Sequence, residues 1–435
     1  MLNLVTLVLQ MALVLVVCRL AGELFLKIRQ PRVNGEMFAG ILLGPSLLGA
    51  LAPHASAYIF PKTTLEFLNA LGQIGVVIFM FLAGLEIDPD ALKKQAASAA
   101  TASIACVAAP FLLAYPLALY LVPRAAAPGT NLLNFTLFLG AATSITAFPM
   151  LARILAERGM LTSRLGLVSV AAAAVSGVAT WCILAYIVLL IKSAKGGSAL
   201  LWTVAGIVAF GVVMFGVVRP MLRVYGNAFL QNGGVLSERA MAALMILLVA
   251  AAVCTGYLGL HPLFGAFVLG MVLPKDLRFI HYVRGRLDTI TLAVLLPLYF
   301  AFSGLRTNVL EVKGAQMWIW CALIVGIAIL GKVVAPMLAA YLTGMPLRES
   351  AGLGALLNTR GLIALVVFNI GLDLKVISPA LYAMLVMMAL VNTILTTWLL
   401  DLFYPVSLHQ KASQMEAAPP GATEGLEVER EAAAG

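Results

Sequence analysis

Long apolar stretches, separated by short polar loops, recur from one end of the chain to the other. Each is long enough, as a helix rising about 1.5 Å per residue, to cross the roughly 30 Å of hydrocarbon in a bilayer. The pattern predicts an all-α polytopic membrane protein with about thirteen transmembrane helices. The predicted spans are 3–26, 34–50, 64–86, 91–121, 131–155, 163–191, 199–222, 238–259, 262–274, 286–305, 316–343, 347–371 and 377–403.

The composition excludes a water-soluble protein. Hydrophobic residues make up 62% of the 435 residues and charged residues only 11%, whereas soluble domains contain about 25% charged residues. The net charge of +9 comes from lysines and arginines scattered among short loops. Without a basic stripe, this charge indicates membrane topology and no nucleic-acid partner.

The distribution of basic residues predicts the orientation in the membrane. With thirteen spans and the N-terminus outside, sixteen lysines and arginines fall in inner loops and seven in outer loops. Cytoplasmic loops are the ones enriched in such residues, so we expect an integral protein of a bacterial inner (plasma) membrane with a cytoplasmic C-terminus. Residues 1–405 form the predicted membrane domain, and the polar segment 406–435 is a predicted disordered cytoplasmic tail.

Two predicted spans contain polar residues that are expected to interrupt their helices. Each lies in the middle of a three-helix group, spans 4–6 and 11–13, and the groups begin an odd number of spans apart. This arrangement predicts inverted repeats with two broken helices near a substrate site. Alternatively, the hydroxyls bond to their own helix and the proline only kinks it. The polar residues are Ser144, Thr146 and Pro149 in the fifth span, and Asn358, Thr359 and Arg360 in the twelfth.

Two basic residues fall deep inside predicted spans. Lys332 lies within the eleventh span and Arg360 at the second helix break. Because ionisable residues at membrane depth are costly, they are functional candidates. Arg19 and Glu23, four residues apart in the first span, are better interpreted as a structural ion pair.

The five cysteines all occur within apolar stretches and are interpreted as small buried hydrophobic residues. None has CxxC spacing, and no group of His, Cys and carboxylate residues has metal-ligand spacing. We therefore predict no metal site, no cofactor and no enzymatic activity.

Seven short strings, in order along the chain, carry a resemblance to a known family. They lie at 32–45, 81–86, 144–155, 265–270, 302–307, 331–332 and 358–362. Together they resemble the large family of monovalent cation:proton antiporters that includes plant cation/proton exchangers and glutathione-gated potassium efflux proteins. The resemblance covers roughly residues 5–403.

The resemblance implies a sodium/proton antiporter-like fold, a homodimer and transport by alternating access. One bundle would form the dimer scaffold, and the other, about 91–192 and 315–404, would form a mobile core. Na⁺ or K⁺ and a proton would be the exchanged substrates, with lipid as the surrounding partner.

The sequence departs from the family at the ion-binding positions. The resemblance implies a carboxylate pair, or an Asn-Asp pair, shortly before Trp181, where this chain has Ser176 and Gly177. It also implies a glutamate in the twelfth span, where this chain has Ala364. Both expected proton-binding groups are therefore absent, while Lys332 and Arg360 are present.

Three functions stay open at this point. The first is cation:proton antiport through hydroxyls and carbonyls, with Lys332 as the proton-coupled group. The second is a carrier of an anionic solute on the same fold, because two positive side chains and half-helix N-termini would attract an anion. The third is a scaffold without transport activity that has a regulatory or biosynthetic accessory role. The candidate pathway residues are Ser144, Thr146, Pro149, Ser176, Gly177, Lys332, Asn358, Thr359, Arg360 and Ala364.

Overall fold

A computed structural model describes residues 4–28, 30, 32–86, 97–160, 163–192, 197–231, 234–258 and 261–405. Within these ranges the chain forms twenty α-helices, and the only β pairing is an isolated bridge between Ala126 and Ile377. The predicted tail, 406–435, lies outside the described residues, as does the predicted start of the fourth span at 91–96.

Most helices follow the predicted spans. The first eleven are α1 (Leu4–Lys27), α2 (Arg32–Leu43), α3 (Leu48–Leu51), α4 (Pro53–Ile59), α5 (Lys62–Glu86), α6 (Ala97–Ala125), α7 (Leu132–Ser144), α8 (Phe148–Glu157), α9 (Arg164–Lys192), α10 (Gly197–Val213) and α11 (Arg219–Gln231). The others are α12 (Glu238–Tyr257), α13 (Leu263–Val272), α14 (Leu277–Ile290), α15 (Leu296–Leu305), α16 (Gly314–Ile329), α17 (Ala335–Leu342), α18 (Leu347–Leu357), α19 (Leu362–Asp373) and α20 (Pro379–Phe403).

Nine helical segments of the described chain are long and apolar enough to cross a bilayer. The four remaining predicted spans correspond to α2, α13 and the pairs α7–α8 and α18–α19. The prediction of two broken helices is thus confirmed. The predicted span 34–50 is wrong at its end, because α2 stops at Leu43. A residue that precedes a proline is disfavoured in the α conformation, and Pro45 follows Gly44 directly.

Three π-helical segments interrupt long helices, and a proline follows each of them at the same distance. The segments are Met214–Val218, Thr291–Leu295 and Leu330–Val334, and the prolines are Pro220, Pro297 and Pro336. A proline inside a helix cannot donate to the carbonyl four residues earlier and its ring clashes with that carbonyl. The wider π turn accommodates both effects, and the helix continues beyond the proline.

One bundle consists of α1, α2, α5 and α12–α15, and glycines let its helices touch. A Cβ atom on Gly84 would lie 2.1 Å from the Phe267 carbonyl oxygen of α13, and one on Gly270 equally close to the Phe81 carbonyl oxygen of α5. In a bilayer, where lipid is as apolar as leucine, close backbone packing of this kind holds helices together.

The second bundle consists of α6–α9 and α16–α20, the two inverted repeats. Each repeat contains one broken helix, α7–α8 in the first and α18–α19 in the second. The helices α6, α17 and α18 pack closely around the π segment Leu330–Val334. This packing places the middle of that segment beside both breaks.

A buried polar network joins the two bundles, with Asn369 of α19 at its centre. Its Nδ2 donates to the Tyr299 hydroxyl at 3.1 Å and to the Ser303 Oγ at 3.0 Å, both in α15. Its Oδ1 accepts from Arg306 Nη1 at 3.1 Å and from the Tyr382 hydroxyl at 3.3 Å. A single amide therefore satisfies polar groups from both bundles in a region poor in water.

We expect Asn369→Leu to destabilise the protein by about 1–3 kcal/mol, because it removes the buried amide that bonds to Tyr299 and Ser303 of α15 and leaves their polar groups facing an apolar side chain. Tyr299→Phe removes only one of the acceptors available to the Asn369 amide and should cost less. Thermal unfolding in detergent would measure both variants. Equal melting temperatures for Asn369→Leu and the unmodified protein would contradict this interpretation of the network.

Candidate functional site

The two broken helices meet at their breaks. Helix α7 ends at Ser144, and the backbone turns extended at Ile145, with φ −66° and ψ 137°. The amide of Ala147, in the first break, donates to the Thr359 carbonyl oxygen, in the second, at 3.0 Å. The Thr146 hydroxyl donates to the Leu357 carbonyl oxygen at the end of α18 at 3.3 Å. Each break thus satisfies part of the backbone that the other leaves open.

Arg360 closes the C-terminal end of α7. Its guanidinium is fully buried and donates to three carbonyl oxygens: from Nη1 to Ile145 at 2.7 Å and to Ala142 at 3.3 Å, and from Nη2 to Thr143. The last carbonyls of a helix have no partner within it and carry partial negative charge. The arginine therefore stabilises the end of α7 that would otherwise be exposed inside the membrane.

Lys332 occupies a cage of three acceptors beside the same helix end. Its Nζ lies 2.6 Å from the Ser144 carbonyl oxygen and 2.6 Å from Cys106 Sγ, and it also donates to the Thr146 hydroxyl. The side chain is fully buried. An ammonium group has three donors and no acceptor, so this cage satisfies it completely.

The π segment positions Lys332. Pro336 has no N–H for the Lys332 carbonyl, so the helix widens at Leu330–Val334 and Lys332 lies at the centre of the widened turn. Gly331, next to it, lies against α6, where an added Cβ would come within 2.9 Å of Pro110 Cγ. This close approach brings Cys106, one turn before Pro110, into contact with the Lys332 nitrogen.

A narrow crevice reaches the site from between the two bundles. Thr146 lines it from the first break, and Gly177 and Trp181 line it from α9. The opposite wall includes Ala83 of α5 and Phe267 of α13, in the other bundle. No atom lies within 4 Å of where a Cβ on Gly177 would point. The position implied to hold a carboxylate therefore faces open space.

The structure places the other predicted site residues around this centre. Ser176 is buried and donates to the Ala173 carbonyl oxygen of its own helix at 3.2 Å. Ala364 is buried in the first turn of α19, and the Asn358 Nδ2 donates to the Asn392 carbonyl oxygen at 3.2 Å. The Thr359 hydroxyl bonds back to Leu356 within α18. Pro149 lies in the first turn of α8, where a helix needs no N–H donor.

The charge of the site is positive. Lys332 and Arg360 are the buried charged side chains, and no buried aspartate or glutamate occurs among the residues whose burial the structure describes. The acceptors that contact these two cations are carbonyl oxygens, one hydroxyl and one sulfur atom. Three of these acceptors surround one positively charged nitrogen, the ammonium of Lys332.

The structure corrects the interpretation of the cysteines. Cys18, Cys106 and Cys321 are buried, whereas Cys182 and Cys254 are exposed on outer helix faces. Cys106 is not a simple hydrophobic residue, because its sulfur contacts both Lys332 and Thr146. No sequence signal distinguishes Cys106 from the other four, since the contact depends on how α6 packs against the π segment.

The predicted ion pair of Arg19 and Glu23 is present at 3.5 Å, and Glu23 also pairs with Arg32 at 2.9 Å.

The chain is similar to known proteins over most of its length. Residues 12–402 match the family described as "Sodium/hydrogen exchanger, transmembrane". Na(+)/H(+) antiporter NhaS4 of Synechocystis sp. is 37% identical over 412 residues, which cover 93% of this chain and 99% of that protein. K(+)/H(+) antiporter 1 of Saccharomyces cerevisiae is 33% identical over 430 residues, covering 97% of this chain and 49% of its relative.

Cation/H(+) antiporter 17 of Arabidopsis thaliana is 38% identical over 393 residues and matches 90% of this chain. The chain spans about half the length of such plant relatives, 47% and 49% for the antiporters numbered 17 and 19. Among solved structures, the sodium proton antiporter MjNhaP1 from Methanocaldococcus jannaschii matches with a TM-score of 0.63 at 16% identity. The match covers 94% of this chain and 99% of that one, so the two share a fold.

We expect substitution by alanine to have opposite effects on stability at two glycines of the site, Gly331 and Gly177. Gly331→Ala forces its Cβ into Pro110 and should destabilise the protein by about 1–3 kcal/mol. Gly177→Ala meets no atom and should leave stability unchanged or raise it by up to about 1 kcal/mol, since alanine favours a helix over glycine. Melting temperatures in detergent would test both. A lower melting temperature for Gly177→Ala would show that a side chain at position 177 collides with other atoms, which would contradict the open space described there.

Proposed function

The chain belongs to the sodium/hydrogen exchanger family, and on that premise we propose that it is a secondary transporter that exchanges a monovalent cation for a proton by alternating access. The observation that supports this most directly is the Lys332 ammonium, held by three acceptors where the two broken helices cross. Substrate sites of secondary transporters commonly lie at such interruptions.

In this proposal the lysine proton and the transported cation compete for the same acceptors. A protonated Lys332 fills the cage with its own positive charge. When Lys332 loses its proton, the Ser144 carbonyl and the Thr146 hydroxyl become free to bind Na⁺ or K⁺, as carbonyl oxygens do in ion-selective pores. One cation replaces one proton, and the net charge of the site is the same in both states.

The moving bundle would not readily change between its outward-facing and inward-facing states while the site is empty. With a neutral lysine and no cation, buried acceptors at the end of α7 lose their strongest partner, at a cost of about 1–3 kcal/mol each. Arg360 stays bound to its three carbonyls throughout, because an arginine is not deprotonated in proteins. The bundle is therefore expected to move only when Lys332 carries its proton or the cage holds a cation. Exchange requires this coupling, because an empty site that moved freely would let one ion cross without the other.

The moving part in this proposal is the bundle of α6–α9 and α16–α20, about 91–192 and 315–404. The crevice beside Thr146 has one wall in each bundle, so movement of one bundle along the other would open it to either side in turn. The Asn369 network joins the bundles near the end of α19, and it has to rearrange during that movement.

We also propose that the protein is a homodimer in a bacterial inner membrane, with its N-terminus outside and its C-terminus cytoplasmic. The excess of lysine and arginine in the predicted inner loops supports this orientation. The family resemblance supports the dimer.

Lys332→Met should reduce cation-dependent proton flux at least about tenfold, equivalent to about 1.4 kcal/mol. The purified protein would be placed in liposomes that contain a pH-sensitive dye. External pulses of K⁺, Na⁺ or Li⁺ should make the lumen more alkaline as the cation enters and the proton leaves. The matched control is Lys275→Met, because Lys275 also has three acceptors, all of them backbone carbonyls, but lies outside the site.

Equal flux in Lys332→Met and the unmodified protein would exclude Lys332 as the proton carrier. If the unmodified protein responds to no cation, the same liposomes would be tested with organic anions. A response there would support the anionic-solute alternative and overturn cation exchange. No response to any solute would favour a scaffold without transport activity.

Pro336→Ala should lower transport. Alanine supplies the missing N–H, so the π segment is expected to tighten into a regular helix and turn Lys332 away from its cage. The control is Pro220→Ala, which removes the same kind of proline after the π segment Met214–Val218, away from the site. Both variants would be assayed for proton flux and melting temperature. Equal flux in the two variants would show that transport does not depend on the π segment at Lys332.

A further inference from the structure

We infer that Cys106 is a ligand of the transported ion and makes the site selective for soft monovalent cations, such as Tl⁺ and Ag⁺, over hard ones of similar size. The inference rests on the proposed exchange function, which it refines by naming the class of cation.

The position of the sulfur supports this assignment. Cys106 Sγ, the Ser144 carbonyl oxygen and the Thr146 hydroxyl all contact the one nitrogen of Lys332. Sγ also lies 3.8 Å from the Thr146 Oγ1. A cation that takes the place of the ammonium would thus meet two oxygens and one sulfur. Cys106 is fully buried, so water does not compete for this position.

The ligand set determines which ions the site prefers. Sulfur is a soft donor and favours polarizable metal ions, whereas carboxylates and carbonyls favour hard ions such as Na⁺ and Mg²⁺. The residues of the site that the structure describes offer no carboxylate to compensate. K⁺ and Tl⁺ have similar radii and the same charge, so the sulfur is the group in this cage that distinguishes them.

The exchange stays balanced with sulfur as a ligand. Before the cation binds, Lys332 is an ammonium and Cys106 a thiol. When the cation binds, Lys332 gives up one proton and becomes a neutral amine, while the sulfur keeps its proton and acts as a neutral, soft donor. No electron is transferred.

The remaining cysteines provide matched controls. Cys321 is buried in α16, and Cys18 is buried against the carbonyls of Glu36 and Pro297 in the other bundle. Cys182 is exposed on α9. None of the hydrogen bonds described for Lys332 involves these three residues.

The test compares Tl⁺ and K⁺ as substrates in the dye-loaded liposomes. The unmodified protein should transport Tl⁺ with about tenfold higher kcat/KM than K⁺, a difference of about 1.4 kcal/mol. In Cys106→Ser the hydroxyl keeps a polar contact but removes the soft donor, so the ratio should fall to about one, while Cys321→Ser keeps the original ratio. Because a changed ratio compares two ions on the same protein, a general loss of folded protein does not alter it.

A second measurement needs no variant. Methyl methanethiosulfonate would be applied during transport, when the proposed movement of the bundles opens the crevice beside Thr146 towards the buried Cys106. Modification of each cysteine would be followed by mass spectrometry. Tl⁺ should protect Cys106 at about tenfold lower concentration than K⁺, and neither ion should protect Cys182.

Each outcome separates the two claims. Cation exchange with the same Tl⁺ to K⁺ ratio in Cys106→Ser, or modification of Cys106 that neither ion slows, would overturn the role of the sulfur and leave exchange intact. A failure of every cation to drive proton flux would instead overturn the proposed function on which the inference rests.

Discussion

The pairing of two positive side chains with the open end of α7 is the interaction on which the site depends. A helix that stops inside a bilayer leaves carbonyls that water cannot satisfy, and each costs several kcal/mol if left unpaired. Arg360 binds the carbonyls of Ala142, Thr143 and Ile145, and Lys332 binds that of Ser144. Both come from the opposite inverted repeat. The breaks can therefore persist only because the two repeats are folded against each other.

The same interaction explains why nearby glycines and prolines occupy their positions. Lys332 reaches α7 only because Pro336 forces a π turn and because Gly331 lets that turn approach Pro110 of α6. A regular helix, or a side chain at position 331, would move the ammonium away from its three acceptors. Backbone features that reduce helix stability elsewhere are here the means by which a charge is held at membrane depth.

The site also suggests how exchange could operate without carboxylates. In the proposed scheme a cationic group supplies the proton and a cation takes its place, whereas the family resemblance implies an anionic group that binds either. In both schemes one proton and one cation exclude each other at the same atoms. The difference lies in the ligands, since oxygen dipoles and the sulfur of Cys106 replace a full negative charge and should change which cations bind.

The sequence alone predicted the membrane class, about thirteen spans and the two broken helices, and it singled out Lys332 and Arg360 as functional candidates. These features follow from local hydropathy, from residues that cannot continue a helix, and from the cost of burying charge. It placed the end of α2 too late and grouped Cys106 with four other cysteines. Only the tertiary structure decided that Arg360 closes α7 and that Cys106, Ser144 and Thr146 surround Lys332. These contacts join residues up to 226 positions apart, and no local pattern encodes how distant helices pack.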